Sequence, residues 1–442
     1  MKEILQKILF TKGLIGGTVW STFGLFSNSV FYFLYLSFVG KIVSAEGVGV
    51  LGIFYSFYTF SSFFLGSGFR DYLTRKITEL KAKNEYKKLS DLLDETFTYV
   101  FLTFIFSFIF FFVFKDLLLK KLFNNSFFLF LCAFLAHFFS TISLIGRGIL
   151  LGKKLFYLFS LLTFIRGLIF LIFGFLFFLK GIDKIPIFII PYIISEFSNF
   201  LFFVLYFIYL KKGFRFKANF NFLKEGIFSM SFSNTVFQGF YNYPIILMKI
   251  KNISDTLIGN LTAEISIFQS VRLFFNSYFV PVYPHVASSY YEGKRKKFFK
   301  TIFYSLILIF TSVLAFTILV IFGGKTFLYL FFPKNKFTFY TSEFLLLSLS
   351  LLLHLLTRFF SRIFFAIQRE NFVFNILLMW LLILTIPYVI IKSNNEIIFL
   401  LFLINILSFI SALIFIYFSI KIFTKKGSNP FKEGEIRNEN FS

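Results

Sequence analysis

The chain has 442 residues, of which 57% are apolar and only 15% charged, with 80 phenylalanines and a formal net charge of +24. So little polar surface cannot solvate a soluble domain of this length, which sets aside soluble enzymes and soluble binding modules. The excess positive charge is spread over short segments between apolar runs, the pattern of anchors beside anionic lipid and not of a nucleic-acid-binding patch.

Apolar runs close to the roughly 20 residues that span a bilayer recur at 13–39, 48–69, 97–114, 126–151, 155–179, 185–210, 222–248, 256–282, 298–322, 342–367, 372–391 and 396–422. They are expected to be helices, because backbone groups in hydrocarbon must be paired within their own segment. The first run follows a basic stretch, as a signal peptide does. It is too long for one and lacks a small-residue cleavage site, so it is expected to stay as the first helix. Segment 70–95 mixes both charges with scattered leucines and is expected to lie as an amphipathic helix on the membrane surface. The third run is short, and Pro281 and Pro284 interrupt the end of the eighth.

An even number of spans puts both termini on one side. That side also holds the basic segments 70–95, 211–225 and 292–300, and cytoplasmic loops retain Lys and Arg, so both termini are expected to be cytoplasmic in a multi-pass inner-membrane protein. The polar stretch 211–225 divides the runs into six and six. The expected units are an N-terminal lobe at 1–212, a C-terminal lobe at 213–423 and a polar cytoplasmic tail at 424–442. The halves echo one another at an offset of 210, where Ser44, Gly49, Leu51 and Phe69 recur as Ser254, Gly259, Leu261 and Phe279. Parallel repeats of this kind place a transport site between lobes near mid-bilayer.

The stretch "VGKIVSAEGVGVLGIFYSFYTFSSFFLGSGFRDYLTRK" resembles the first-to-second helix region of polysaccharide and O-antigen flippases of the multidrug/oligosaccharidyl-lipid/polysaccharide (MOP) exporter superfamily. "GRGILLGKKLFYLFSLLTFIRG", "VPVYPHVASSYYEGKRKKFFK" and "LFFPKNKFTFYTSEFLLLSLSLLLHLLTRFFSRIFFAIQREN" are similar to later segments of that family in the same order. The resemblance implies an all-α, MATE-like fold of about twelve spans in two pseudo-two-fold lobes around a cationic cavity. It also implies alternating-access flipping of a polyprenyl-(pyro)phosphate-linked oligosaccharide or polysaccharide unit. A monomer among membrane lipids is expected, and H+ and Na+ are the candidate coupling ions if transport is coupled. The seventh run, "FYNYPIILMK", departs from the family in carrying Pro244 and no acidic residue.

Ionisable groups at membrane depth cost roughly 2.5–3.5 kcal/mol each and so face a cavity or a partner. Arg166, Arg272, Arg358 and His354 are the expected substrate-binding set, because guanidinium groups bind phosphate bidentately and stay charged when dry. The bland alternative is that Arg166 or Arg272 pairs with Glu196 or Glu264, while Arg358 and Arg362 snorkel to the interface. Glu196 and Glu264 are the ion-coupling candidates. Asn28 in the first run and the i, i+4, i+8 stripe Asn234, Gln238 and Asn242 in the seventh are candidate sugar contacts, or ties between helices. His137, alone in its span, is expected to be packed with a satisfied hydrogen bond. Cys132 is the single cysteine, so no disulfide is expected, and no metal-ligand spacing, cofactor motif or nucleophile motif stands out. The rival readings are a cation-coupled multidrug exporter of the same fold and a membrane-embedded glycosyltransferase or polymerase using lipid-linked sugars. The latter needs a catalytic acid, base or metal at the outer surface, where only scattered carboxylates lie.

Overall fold

The computed structural model describes residues 14–82, 85–210, 226–291, 295–367, 369–391, 393 and 395–424. The dividing stretch 211–225 and all of the expected tail but its first residue lie outside them. Among the described residues there are thirteen α-helices and no strand. The first half contains α1 (Leu14–Ile42), α2 (Ala45–Ala82), α3 (Tyr86–Val113), the short α4 (Lys115–Lys121), α5 (Phe127–Gly152), α6 (Phe156–Lys180) and α7 (Ile190–Leu210). The second half contains α8 (Ile227–Ile250), α9 (Asp255–Tyr291), α10 (Arg295–Phe331), α11 (Thr341–Ala366), α12 (Glu370–Ile390) and α13 (Glu396–Thr424).

Among the described residues ten helices are long and apolar enough to cross a membrane, and the chain is a multi-pass membrane protein. The two long helices that fall short are α8 and α9, and their position explains it. Both lie between the halves, where Asn234, Gln238, Asn242, Glu264, Gln269 and Arg272 are all buried in protein. Elsewhere the outside is apolar: Leu314, Leu319 and Phe322 of α10 and Phe112 and Val113 of α3 are exposed, as lipid-facing side chains are.

Helix ends differ from expectation in two places. Segment 70–95 is not a surface helix: α2 continues through it to Ala82, and α3 begins at Tyr86. Within it, Leu73, Ile77, Leu80, Leu92 and Leu93 form a buried cluster joining α2, α3 and α5. Nor does the eighth run break at its prolines, since the backbone of α9 stays helical through Pro281 and Pro284 to Tyr291.

The packing repeats. In the first half α1 packs on α6, α2 on α5 and α5 on α7; in the second, α8 packs on α12, α9 on α11 and α11 on α13. Between halves, α2 lies against α8 and α9, and α1 against α9. The offset of 210 is visible in three dimensions where α2 and α9 cross. A Cβ on Gly49 would stand 2.0 Å from the carbonyl oxygen of Asp255, and one on Gly259 would stand 1.8 Å from that of Ala45. Each glycine therefore lets the other helix's backbone touch it, and the two contacts are related by the repeat itself. This crossing lies near the start of α2, opposite the end at 70–82 that marks the basic face. Around it, Asp255 accepts from Lys249 Nζ (2.7 Å) and Asn124 Nδ2 (3.2 Å), while Lys336 Nζ donates to the carbonyls of Lys41 and Ile42 at the end of α1.

Candidate functional site

A cavity of about 140 Å³ lies between α1, α2, α5 and α6 of the first half and α8, α9 and α11 of the second. Six arginines line it: Arg70 of α2, Arg147 of α5, Arg166 of α6, Arg272 of α9, and Arg358 and Arg362 of α11. Asp71 is the one carboxylate in its wall. The cavity is smaller than the roughly 300 Å³ at which drug-sized ligand sites begin.

Arg166 and Arg272 have different fates. Arg166 is ion-paired with Glu196 of α7 at 2.6 Å, and its Nη2 also donates to the hydroxyl of Tyr58 at 3.3 Å. Glu196 is wholly buried, so the pair is the expected bland alternative realised in the first half. Arg272 is as buried but meets no carboxylate. Its Nη2 reaches Gln238 Oε1 at 3.4 Å, its guanidinium lies 5.2 Å from the Tyr241 ring centroid, and Nε and Nη1 have no hydrogen-bond partner. Arg358 is similar, over the Phe237 ring at 5.6 Å with Nη1 unpaired. Arg147 Nε is also buried and unpaired. Among the described residues, then, three cavity arginines have an unpaired guanidinium nitrogen and no ion pair to a carboxylate, and two of them belong to the second half.

The other expected site residues separate. Asn28 lines the cavity with a buried, unpaired Oδ1, and Gln238 lines it beside Arg272. Asn234 does not reach the wall; its Nδ2 donates to Asp71 Oδ2 at 2.8 Å. Asn242 is deeper, bonded to the Gln238 carbonyl and to Gln269. His354 also lies outside the wall, enclosed by Phe237, Phe240 and Tyr241, with the Phe240 ring 4.5 Å away. Glu264 is buried on α9 and faces Glu343 at the start of α11, away from the arginines. His137 is held between the hydroxyls of Ser61 and Ser107, each at 2.9 Å. Among the described residues no cluster of histidine, cysteine and carboxylate side chains has the make-up of a metal site.

Asp71 is the residue that sequence reasoning passed over, since it sat in a segment read as a surface helix. Its Oδ1 accepts from Arg70 Nε at 2.9 Å, and its Oδ2 accepts from Arg362 Nη1 at 2.7 Å and from Asn234. Arg362 and Asn234 belong to the second half, so this carboxylate joins the halves at the basic face. Beside it Arg75 bonds Glu370 of α12 at 3.3 Å, and the Gly68 N–H donates to Ser231 Oγ at 3.0 Å. The signal was available: Ser67, Asp71 and Thr74 fall at i−4, i and i+3, a buried polar stripe that continues the helix past Phe69.

No protein-family model and no curated protein sequence matches the chain. Solved structures do match. An outward-facing multidrug resistance MATE family transporter of the MOP superfamily superposes with a TM-score of 0.70 at 13% identity, over 98% of this chain and 97% of that one. An inward-facing one gives 0.66 at 14% identity, over 92% and 96%. A MOP superfamily transporter from Pyrococcus furiosus, described as having a binding pocket of reversed polarity, gives 0.67 at 13%, over 98% and 97%. With such low identity and near-complete coverage, the chain has the two-lobed, all-helical fold of these MATE transporters.

Proposed function

We propose that the protein is a flippase that moves a polyprenyl-(pyro)phosphate-linked oligosaccharide or polysaccharide unit across the cytoplasmic membrane, with its basic face in the cytoplasm. The observation that carries the reading is the trio Arg147, Arg272 and Arg358, buried in the cavity wall with unpaired guanidinium nitrogens and no ion pair to a carboxylate. Such donors are costly in a protein interior unless a ligand with several acceptor oxygens meets them, and phosphate esters are the ligands whose geometry matches a guanidinium fork. Asn28 and Gln238 add amides that suit sugar hydroxyls. Because the cavity is smaller than such a head group, it must enlarge toward one face at a time. The fold is one for which both inward-facing and outward-facing structures are known.

The multidrug-exporter reading draws on the same fold likeness. It asks for acidic groups to hold cationic drugs, and here the carboxylates near the cavity are already committed, Glu196 to Arg166 and Asp71 to Arg70 and Arg362. The Pyrococcus furiosus transporter is a precedent for a pocket of altered polarity on this scaffold. Binding to the purified protein separates the two. Farnesyl pyrophosphate is expected to bind, ethidium is not, and the double variant Arg272→Ala/Arg358→Ala is expected to lose about 100-fold in affinity for the pyrophosphate while keeping its thermal transition. Ethidium binding with no response to pyrophosphate would reverse the assignment.

A further inference from the structure

Asp71 makes the bonds to the cavity arginines that a phosphate would make. It is buried, it lines the same cavity, and through Arg362 and Asn234 it fastens α2 to α11 and α8. The cavity cannot widen toward the basic face while those bonds stand. We propose that Asp71 is an internal counter-anion, which latches the two halves at the basic face until the phosphate of the substrate displaces it from Arg70 and Arg362. The inference rests on the anionic head group argued above and adds how that head group triggers opening.

The chemistry of exchange favours the ligand. Asp71 offers one negative charge and two oxygens, both already engaged, and its carboxylate is too short to serve more than its immediate neighbours. A pyrophosphate ester offers more charge and more oxygens, enough to take over Arg362 and Arg70 and also to meet unpaired donors on Arg272 and Arg358. Binding therefore replaces the bonds that Arg70 and Arg362 give up and adds new ones, and the gain exists only in the opened state, which is the condition for a ligand to shift a conformational equilibrium. A neutral lipid or a free sugar lacks that leverage. The latch thus confers selectivity for charge before any contact with the sugar is made. The Arg75–Glu370 pair and the Gly68–Ser231 contact lie one turn either side of Asp71 and would part with it.

A reporter cysteine tests this. Thr74 lines the cavity one turn toward the basic face from Asp71, and Thr74→Cys in a Cys132→Ala background would react with a maleimide at a rate set by opening. Farnesyl pyrophosphate is expected to speed labelling about tenfold when Asp71 is present. With Asp71→Asn added, labelling should be fast without ligand and change little on adding it, and the affinity for farnesyl pyrophosphate should rise about tenfold, since one competing charge-assisted contact has gone. Asn234→Leu, which removes a single donor to Asp71, should move both quantities the same way by about two- to threefold. It keeps the test open if Asp71→Asn does not fold. Binding that is unchanged or weaker in both variants, with labelling as slow as before, overturns the latch. Failure of farnesyl pyrophosphate to bind with Asp71 present or absent overturns the anionic head-group reading instead.

Discussion

Two arginines that look interchangeable in sequence, Arg166 and Arg272, show how differently the halves handle charge. In the first half the guanidinium is neutralised at once by Glu196, and the pair is stiffened by Tyr58. In the second half Arg272 Nη2 reaches the neutral amide of Gln238, and the Arg358 guanidinium lies over the Phe237 ring with Nη1 unpaired. Among the described cavity arginines of the first half Arg147 alone lacks an ion pair, whereas in the second both Arg272 and Arg358 lack one, so the second half presents the more cationic wall. A protein that needed only to hold its helices together would have paired both. Leaving one side uncompensated is a cost in stability that makes sense where a ligand supplies the missing anion.

The sharpest way to break this comparison is to remove the counter-ion from the first half. Glu196→Gln leaves Arg166 buried with one hydroxyl partner, and breaking such a pair from one side is expected to cost about 3 kcal/mol, seen as a large drop in the thermal transition of the purified protein. Adding Arg166→Met should recover most of the loss, because no stranded charge remains. If Glu196→Gln is as stable as the wild type, the pair is not what holds α6 to α7 at this depth.

Arg272→Met should behave in the opposite sense. It removes a buried charge that has no carboxylate, fills nearly the same volume and is expected to leave stability unchanged or to raise it by about 1 to 2 kcal/mol. Affinity for a prenyl pyrophosphate should fall sharply in the same variant. A destabilised Arg272→Met would mean that the Gln238 and Tyr241 contacts outweigh the charge burial, and the contrast between the halves would be one of degree only.

Much of this was legible from composition and period. The long helices, the buried arginines of α6, α9 and α11 and the repeat at 210 all follow from hydropathy and spacing, because lipid leaves the backbone one choice within each span. What could not be read was which face of a polar helix meets which neighbour. Asn234, Gln238 and Asn242 form one stripe, yet the first serves Asp71, the second the cavity and the third Gln269, since α8 is wedged between α2, α9 and α12 and each turn meets a different helix. His354 shares a stripe with Arg358 and still lies behind the aromatic rings of α8. Asp71 was hidden for another reason: it sits in a segment rich in both charges, where the stripe it forms with Ser67 and Thr74 is the one local sign of its burial. Only the continuation of α2 beyond the expected bilayer edge brings it inside.

The finest test gives the second half what the first already has. Gln238→Glu is nearly isosteric, and it would set a carboxylate where an amide oxygen now lies 3.4 Å from Arg272 Nη2. A charge-assisted contact is worth more than the present one, but a second ion must also be desolvated, so the net stabilisation is expected to be small, about 1 kcal/mol or less. Its functional effect should be plainer. With Arg272 neutralised as Arg166 is, the wall loses a charge that phosphate would meet, and affinity for farnesyl pyrophosphate should fall about tenfold at constant or slightly higher thermal stability. Titrating binding against stability in one variant separates the two explanations for the unpaired arginine. If Gln238→Glu gains stability and keeps full affinity, Arg272 is a packing residue beside Tyr241. If it gains stability and loses affinity together, the uncompensated charge is there for the ligand.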